Sequence, residues 1–105
     1  MTSSVSEAYI QAVAQHPELP HAAVRLGLWF VAVAEQTGGF PVKAFLNTIL
    51  LGYHDGKVDV PGVSFRPPTV TAAIEALERA GLMRVEVDSE PERGHYPRLF
   101  TVTVG

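Results

Sequence analysis

The chain has 105 residues, of which 47% are hydrophobic. This is enough for one domain with a single core and too little for two independent cores. The absence of cysteine excludes disulfides, thiolate metal sites and thiol nucleophiles. The formal net charge is −3, from eight Lys and Arg against eleven Asp and Glu. A nucleic-acid-binding function would therefore require the cations to cluster on one face.

The sequence carries no pattern that directs a chain to a membrane. Met1 to Ser4 show no basic region followed by an apolar run, and the apolar stretch at residues 26 to 34 is too short to span a bilayer. We therefore expect a soluble, cytoplasmic protein that does not associate with membranes.

The first part of the chain, residues 1 to 52, has the spacing of helices. A first helix is expected up to about Gln15. A second, from His21 to Gln36, is apolar on nearly every side, as in a helix buried in a core or a dimer, and Gly38-Gly39 ends it. Pro41 is expected to open a third helix, which Gly52 ends.

The second part contains the clearest helix, expected at residues 69 to 80. Apolar residues recur on one side of it from Val70 to Leu77, and Gly81 follows at the position that favours a left-handed backbone. Residues 53 to 68, which precede it, are expected to form an irregular loop with a short strand at Lys57 to Val60.

Beyond this helix the pattern changes to that of strands. Apolar and charged residues alternate from Met83 to Asp88, and residues 99 to 104 are rich in β-branched side chains. A hairpin is expected over 83 to 104, with a polar tip at 89 to 97. The sequence thus predicts an α+β fold with about four helices followed by a C-terminal β-hairpin.

The stretch from Gly62 to Leu82 reads Gly-Val-Ser-Phe-Arg-Pro-Pro-Thr-Val-Thr-Ala-Ala-Ile-Glu-Ala-Leu-Glu-Arg-Ala-Gly-Leu. It resembles the turn and recognition helix of bacterial winged helix-turn-helix regulators, in which a Thr-Val pair begins the helix and Leu-Glu-x-x-Gly-Leu leads into the wing. With the hairpin, the resemblance covers residues 64 to 104. It implies a single winged-helix domain over 1 to 105 that binds duplex DNA sequence-specifically and regulates transcription as a homodimer.

The resemblance also implies which residues meet DNA, because a recognition helix enters the major groove with its N-terminal turns foremost. The expected recognition residues are Arg66, Thr69, Thr71 and Ala72. The unpaired N–H groups of this helix end are expected to favour a phosphate. The expected wing residues, in contact with phosphates or the flanking minor groove, are Arg93, His95 and Arg98.

Other interpretations remain open. Thr69 also fits a helix N-cap. Glu75 would face the DNA, where its carboxylate can only accept a hydrogen bond from cytosine or repel a phosphate. Gly52 and Thr69 are separated by far more than the about three or four residues of a typical helix-turn-helix. The alternative function is a winged-helix protein-interaction module that does not bind DNA. A further alternative function is that of a small-molecule sensor in which Trp29 and Phe30 line a pocket.

The homodimer is expected because residues 5 to 51 hold more apolar surface than a small winged domain needs. A dimer predicts two half-sites about one helical turn apart. The sequence identifies no small-molecule effector.

An enzyme is not expected. The four histidines, His16, His21, His54 and His95, are not spaced three or four apart on a predicted helix, so they form no regular zinc pair. A phosphate-binding Gly-rich loop followed by Lys, a nucleophile elbow and a carboxylate pair in an apolar setting are all missing from the sequence. We expect no catalytic residues, no metal and no cofactor.

Overall fold

The described part of the chain, residues 4 to 104, forms nine helices and strands, and an early strand pairs with the C-terminal hairpin. The computed structural model describes residues 4 to 104, so the N-terminal pattern at Met1 to Ser4 lies outside its described side chains. The helices are α1 (Ser4–Ala14), α2 (His21–Thr37), α3 (Leu46–Leu51) and α4 (Pro67–Arg79). The strands are β1 (Val42–Ala44), β2 (Gly52–Asp55), β3 (Val58–Pro61), β4 (Met83–Val87) and β5 (Arg98–Val102). Together they form a small α+β domain.

Two antiparallel sheets are present among the described residues. In the first, β5 lies between β1 and β4, with Val42 opposite Phe100 and Met83 opposite Val102. The second consists of β2 and β3 alone. The expected C-terminal hairpin is confirmed as β4 and β5, and β1 extends it to three strands.

Helix α2 lies at the centre of the core, as its apolar composition predicts. It contacts α1, α4, β1, β3 and β5. The Phe30 ring stacks on Phe100 at 4.5 Å between centroids, and Trp29 meets Phe30 edge-on at 5.0 Å. Trp29 and Phe30 are both buried. Neither lines the two clefts described below. No helix between residues 4 and 104 has the length and apolar character needed to cross a bilayer.

The predicted third helix is wrong in its first half. Val42 and Ala44 are buried while Lys43 is exposed, which is the alternation of a strand. This segment pairs with β5, and α3 begins only at Leu46. Pairing with a strand more than fifty residues away outweighs the local helical spacing, because strand formation depends on the neighbouring strand.

Residues 52 to 61 form a hairpin where an irregular loop with one short strand was expected. Trp29 Nε1–H donates to the carbonyl oxygen of Pro61 at 2.7 Å, which ties this hairpin to α2. Its two ends meet, since Gly52 pairs with Pro61. The chain then returns to α3, where the Val63 N–H donates to the Ile49 carbonyl oxygen at 2.9 Å. The hairpin is therefore an insertion whose ends meet, and the chain resumes beside α3 four residues before α4 begins.

Helix α4 begins two residues earlier than expected, at Pro67, because proline is well suited to first-turn positions that lack an intrahelical partner for their N–H. Its end is as predicted. Gly81 has a left-handed backbone, with φ of +75°. The N–H groups of Gly81 and Leu82 donate to carbonyls of the last turn, at 3.0 and 2.9 Å. This ending directs the chain into β4.

The packing of α1 on α2 depends on a close approach between Tyr9 and Gly27. The Tyr9 side chain is buried, and its hydroxyl donates to the Val24 carbonyl oxygen at 2.9 Å. Burial raises the pKa of this hydroxyl to about 12. A methyl group at Gly27 would overlap the Tyr9 ring and hydroxyl.

We predict that Gly27→Ala destabilises the protein by about 1–3 kcal/mol through overpacking. Helix propensity alone predicts the opposite sign, a gain of about 1 kcal/mol. Urea unfolding measures the difference. In a Tyr9→Leu background the overlapping atoms are absent, so Gly27→Ala should be neutral or stabilising there. Equal destabilisation in both backgrounds would show that the Tyr9 contact is not the cause.

Candidate nucleic-acid interface

One side of α4 is exposed along its whole length. The opposite side is buried through Val70, Ala73, Ile74, Ala76 and Leu77. The exposed residues are Pro67, Pro68, Thr69, Thr71, Ala72, Glu75, Glu78 and Arg79. The α4 stripe, as we call these exposed residues, thus has short neutral side chains in its N-terminal half and charged ones in its C-terminal half.

The first four residues of α4 offer no free N–H group to a phosphate, so that part of the expectation is wrong. Pro67 and Pro68 have no N–H. The N–H groups of Thr69 and Val70 both donate to the Arg66 carbonyl oxygen, at 2.9 and 3.1 Å. The interpretation of Thr69 as the N-cap is also wrong, because Arg66 holds that position. An anion at this helix end would be attracted by the helix dipole and by the exposed Arg66 guanidinium.

A cavity of about 380 Å³, the α4–β5 groove, lies between α3, α4 and the sheet. The buried residues among its lining are Ala44, Ile49, Ile74 and Phe100. The polar side chains along it are Thr71, Glu75 and Glu78 from α4, with Tyr96 and Arg98 from the C-terminal hairpin and its loop. The structure therefore brings together one expected recognition residue, Thr71, and one expected wing residue, Arg98.

The charged groups of this groove have no ion-pair partner among the described residues. Glu75, Glu78 and Arg98 are exposed, and none of them lies in an ion pair found between residues 4 and 104. Glu75 and Glu78 are three residues apart and are neighbours on the helix surface. A phosphate that approaches Arg98 therefore also meets two carboxylates on the same groove.

The wing loop, residues 88 to 97, is shaped by a tight turn at its tip. The backbones of Glu92 and His95 exchange hydrogen bonds of 2.6 and 3.0 Å. Arg93 and Gly94 between them have φ of +53° and +81°, the signs that a type I′ turn requires. Arg93 and His95 are exposed at this tip.

Arg93 lies away from the α4–β5 groove. With Lys43 and His54 it lines a second, wider cleft of about 900 Å³ between α3, β2 and the wing loop. His95 lines neither cleft. The seven predicted site residues are thus distributed over the α4 start, the α4–β5 groove and the wing tip.

The base of the wing loop is fixed by Asp88. Its backbone N–H donates to the Pro97 carbonyl oxygen at 2.9 Å, and one carboxylate oxygen lies 3.1 Å from Lys43 Nζ. A hydrogen bond from the Glu90 N–H and then the bond to Lys43 lower the pKa of Asp88. The bond to Asp88 in turn raises the pKa of Lys43. This pair anchors the loop to β1.

Sequence reasoning missed two residues of the α4–β5 groove, Leu46 and Tyr96. Their side chains are 43% and 58% exposed, although both are large and apolar in character. No local pattern distinguishes them, because the groove is formed by segments that are far apart along the chain.

Between residues 4 and 104, no group of three or more His, Asp or Glu side chains is arranged to hold a metal ion. Comparisons of the chain with protein-family models, curated proteins and solved structures found no match.

We predict that Asp88 and Lys43 are energetically coupled, as measured by a double-mutant cycle of Asp88→Asn and Lys43→Met in urea unfolding. The lowered pKa of Asp88 means that the coupling is present above the ordinary carboxyl pKa of about 3.9 and is lost as the pH falls through the lowered value. The raised pKa of Lys43 means that it also disappears as the pH rises beyond about 10.4. A coupling that persists unchanged below the lowered pKa of Asp88 and above the raised pKa of Lys43 would contradict the ion pair.

Proposed function

We propose that the protein is a winged helix-turn-helix regulator that binds duplex DNA sequence-specifically, with α4 as recognition helix and the β4–β5 hairpin as wing. The observation that carries the proposal is the shared groove of Thr71 on α4 and Arg98 on the hairpin. A groove common to both elements allows one stretch of duplex to contact both of them. A helix of 13 residues is about 20 Å long and fits the major groove, which is about 12 Å wide.

The relation between α3 and α4 also supports this proposal. A helix-turn-helix requires the helix before the recognition helix to lie close to its start. The long segment after Gly52 appeared to contradict this requirement. Because the β2–β3 hairpin closes on itself and Val63 bonds to Ile49, the chain is back beside α3 four residues before α4 begins, and both helices line the α4–β5 groove.

Because the chain as a whole is acidic, binding to DNA requires a local cluster of positive charge. The N-terminal end of α4 supplies one. Arg66 precedes the helix and is exposed. The Arg25 guanidinium lies 5.4 Å from the ring centroid of Phe65, the residue next to Arg66. We infer that Arg66 and Arg25 contact phosphates, while Thr69, Thr71 and Ala72 meet base edges. The wing residues Arg93, His95 and Arg98 add phosphate contacts.

The homodimer remains part of the proposal, and it requires an apolar surface away from the DNA face. Ile10 on α1 is 59% exposed. A second copy that covers it would leave α4 and the wing of each protomer available to one half-site.

A second candidate is a protein-interaction module built on the same fold. Glu75 and Glu78 favour it, because unpaired carboxylates on the α4 stripe oppose a phosphate backbone. Leu46 and Tyr96 favour it as well, because exposed apolar groups at the same groove are typical of protein contacts.

Selection from a pool of random duplexes, followed by fluorescence anisotropy at several salt concentrations, tests the leading proposal. We expect enrichment of a near-palindromic site. We also expect the logarithm of the binding constant to fall linearly with the logarithm of the salt concentration. Arg66→Gln should lower the salt slope by about 1 without a change in the preferred site. Thr69→Val should cost about 1–3 kcal/mol for the preferred site and relax its sequence preference.

Arg84→Gln is the matched control, since Arg84 is an exposed arginine on β4 that lines neither cleft. It should leave both the salt slope and the preferred site unchanged. Absence of binding even at low salt would overturn the DNA proposal and favour the protein-interaction module.

Glu75→Gln provides a test with the opposite sign. Removal of this charge from the α4 stripe should increase the affinity for all duplex sequences by a few-fold at low salt. The gain should shrink as salt is added, because a shorter Debye length screens the repulsion between the carboxylate and the phosphates. Anisotropy with a fixed duplex measures it. Glu35→Gln, an exposed glutamate at the end of α2, is the control. An equal gain in both variants would reflect net charge alone and would remove α4 from the interface.

A further inference from the structure

The α4–β5 groove has features that binding of DNA does not require. Phe100, Ile49 and Ile74 form an apolar floor and belong to the buried core. A phosphate backbone gains nothing from such a floor, because its contacts are polar and charged. The volume of about 380 Å³ falls in the range of about 300–1,000 Å³ that is usual for small-molecule sites.

The charges at the rim are arranged around this floor with both signs represented. Glu75 and Glu78 are neighbours on α4, and the Arg98 guanidinium belongs to β5. None of the three has an ion-pair partner among the described residues, so their charges are available to a ligand. Two adjacent carboxylates repel each other, and an ammonium bound between them would relieve that repulsion.

We propose that this groove binds a free α-amino acid with an apolar or aromatic side chain. Its ammonium pairs with Glu75 and Glu78, and its carboxylate forms a two-point contact with the Arg98 guanidinium, whose planar donors match a carboxylate. Its side chain covers the apolar floor, beside the exposed ring of Tyr96. A ligand with one sign of charge satisfies only one part of this rim, whereas a zwitterion satisfies both.

Such a ligand would contact residues that the proposed DNA interface also uses, Thr71 and Arg98. Amino acid and DNA would then affect each other's affinity by the same factor. This regulatory consequence rests on the proposed function, but the binding of the amino acid does not. Calorimetry without DNA therefore separates the two, and either can fail while the other holds.

Isothermal titration of the full chain with three related probes tests the proposal. The probes are L-phenylalanine, 2-phenylethylamine, which lacks the carboxylate, and 3-phenylpropionate, which lacks the ammonium. We expect L-phenylalanine to bind at least about tenfold more tightly than either analogue. L-leucine, with an apolar side chain of another shape, should bind as well.

Two variants assign each charged contact. The double variant Glu75→Gln, Glu78→Gln should weaken L-phenylalanine and 2-phenylethylamine by about tenfold and should not weaken 3-phenylpropionate. Arg98→Gln should weaken L-phenylalanine and 3-phenylpropionate to a similar degree and should not weaken 2-phenylethylamine. Glu35→Gln and Arg84→Gln, at exposed positions outside the groove, are the matched controls and should bind as the unmodified protein does.

Circular dichroism and urea midpoints verify that each variant is folded, and the analogue series on the unmodified protein does not depend on them. Absence of L-phenylalanine and L-leucine binding up to about 10 mM would overturn the proposal. So would L-phenylalanine binding that neither variant weakens, and so would a 2-phenylethylamine affinity equal to that of L-phenylalanine.

Discussion

The pairing of β1 with β5 is the contact on which the rest of this fold depends. It places Val42 opposite Phe100, whose ring stacks on Phe30 of the central helix α2. The hairpin is thereby held against the core. Because α3 follows β1 after a single residue, the same pairing also determines that α3 begins at the edge of this sheet, beside β1. The floor of the α4–β5 groove, to which Phe100 contributes, is a direct result.

The second constraint is the closure of the β2–β3 hairpin. An insertion between two helices is tolerated when its ends are close, because the path of the chain from one helix to the next then stays short. Here Gly52 pairs with Pro61, and Gly62 approaches the backbone of Leu50 so closely that a side chain would overlap it. Glycine is therefore required at 62. The hairpin changes the surface beside α3 without moving α4.

The sequence predicted those elements whose signals are local. Helices α2 and α4 follow from their apolar spacing and their terminal glycines, and β4 from its alternation. It misplaced the third helix because Val42 and Ala44 are held by a strand that is distant in the chain. The position of Thr71 and Arg98 in one groove could not be predicted for the same reason, because the two residues are far apart in the sequence. The shortage of free N–H groups at the start of α4 could have been predicted from the sequence, because Pro67 and Pro68 are adjacent there and have no N–H.

The acidic half of the α4 stripe connects the two proposals physically. A zwitterion in the α4–β5 groove adds no net charge, so it leaves the long-range field of the domain almost unchanged. Its ammonium neutralises Glu75 and Glu78 locally, which favours an approaching phosphate, but its carboxylate occupies Arg98, which removes one phosphate contact. The coupling between amino acid and DNA is then determined by these local contacts and by the space that the bound amino acid occupies beside Thr71. In terms of counterion release, the loss of one phosphate contact changes the salt slope by about 1 at most.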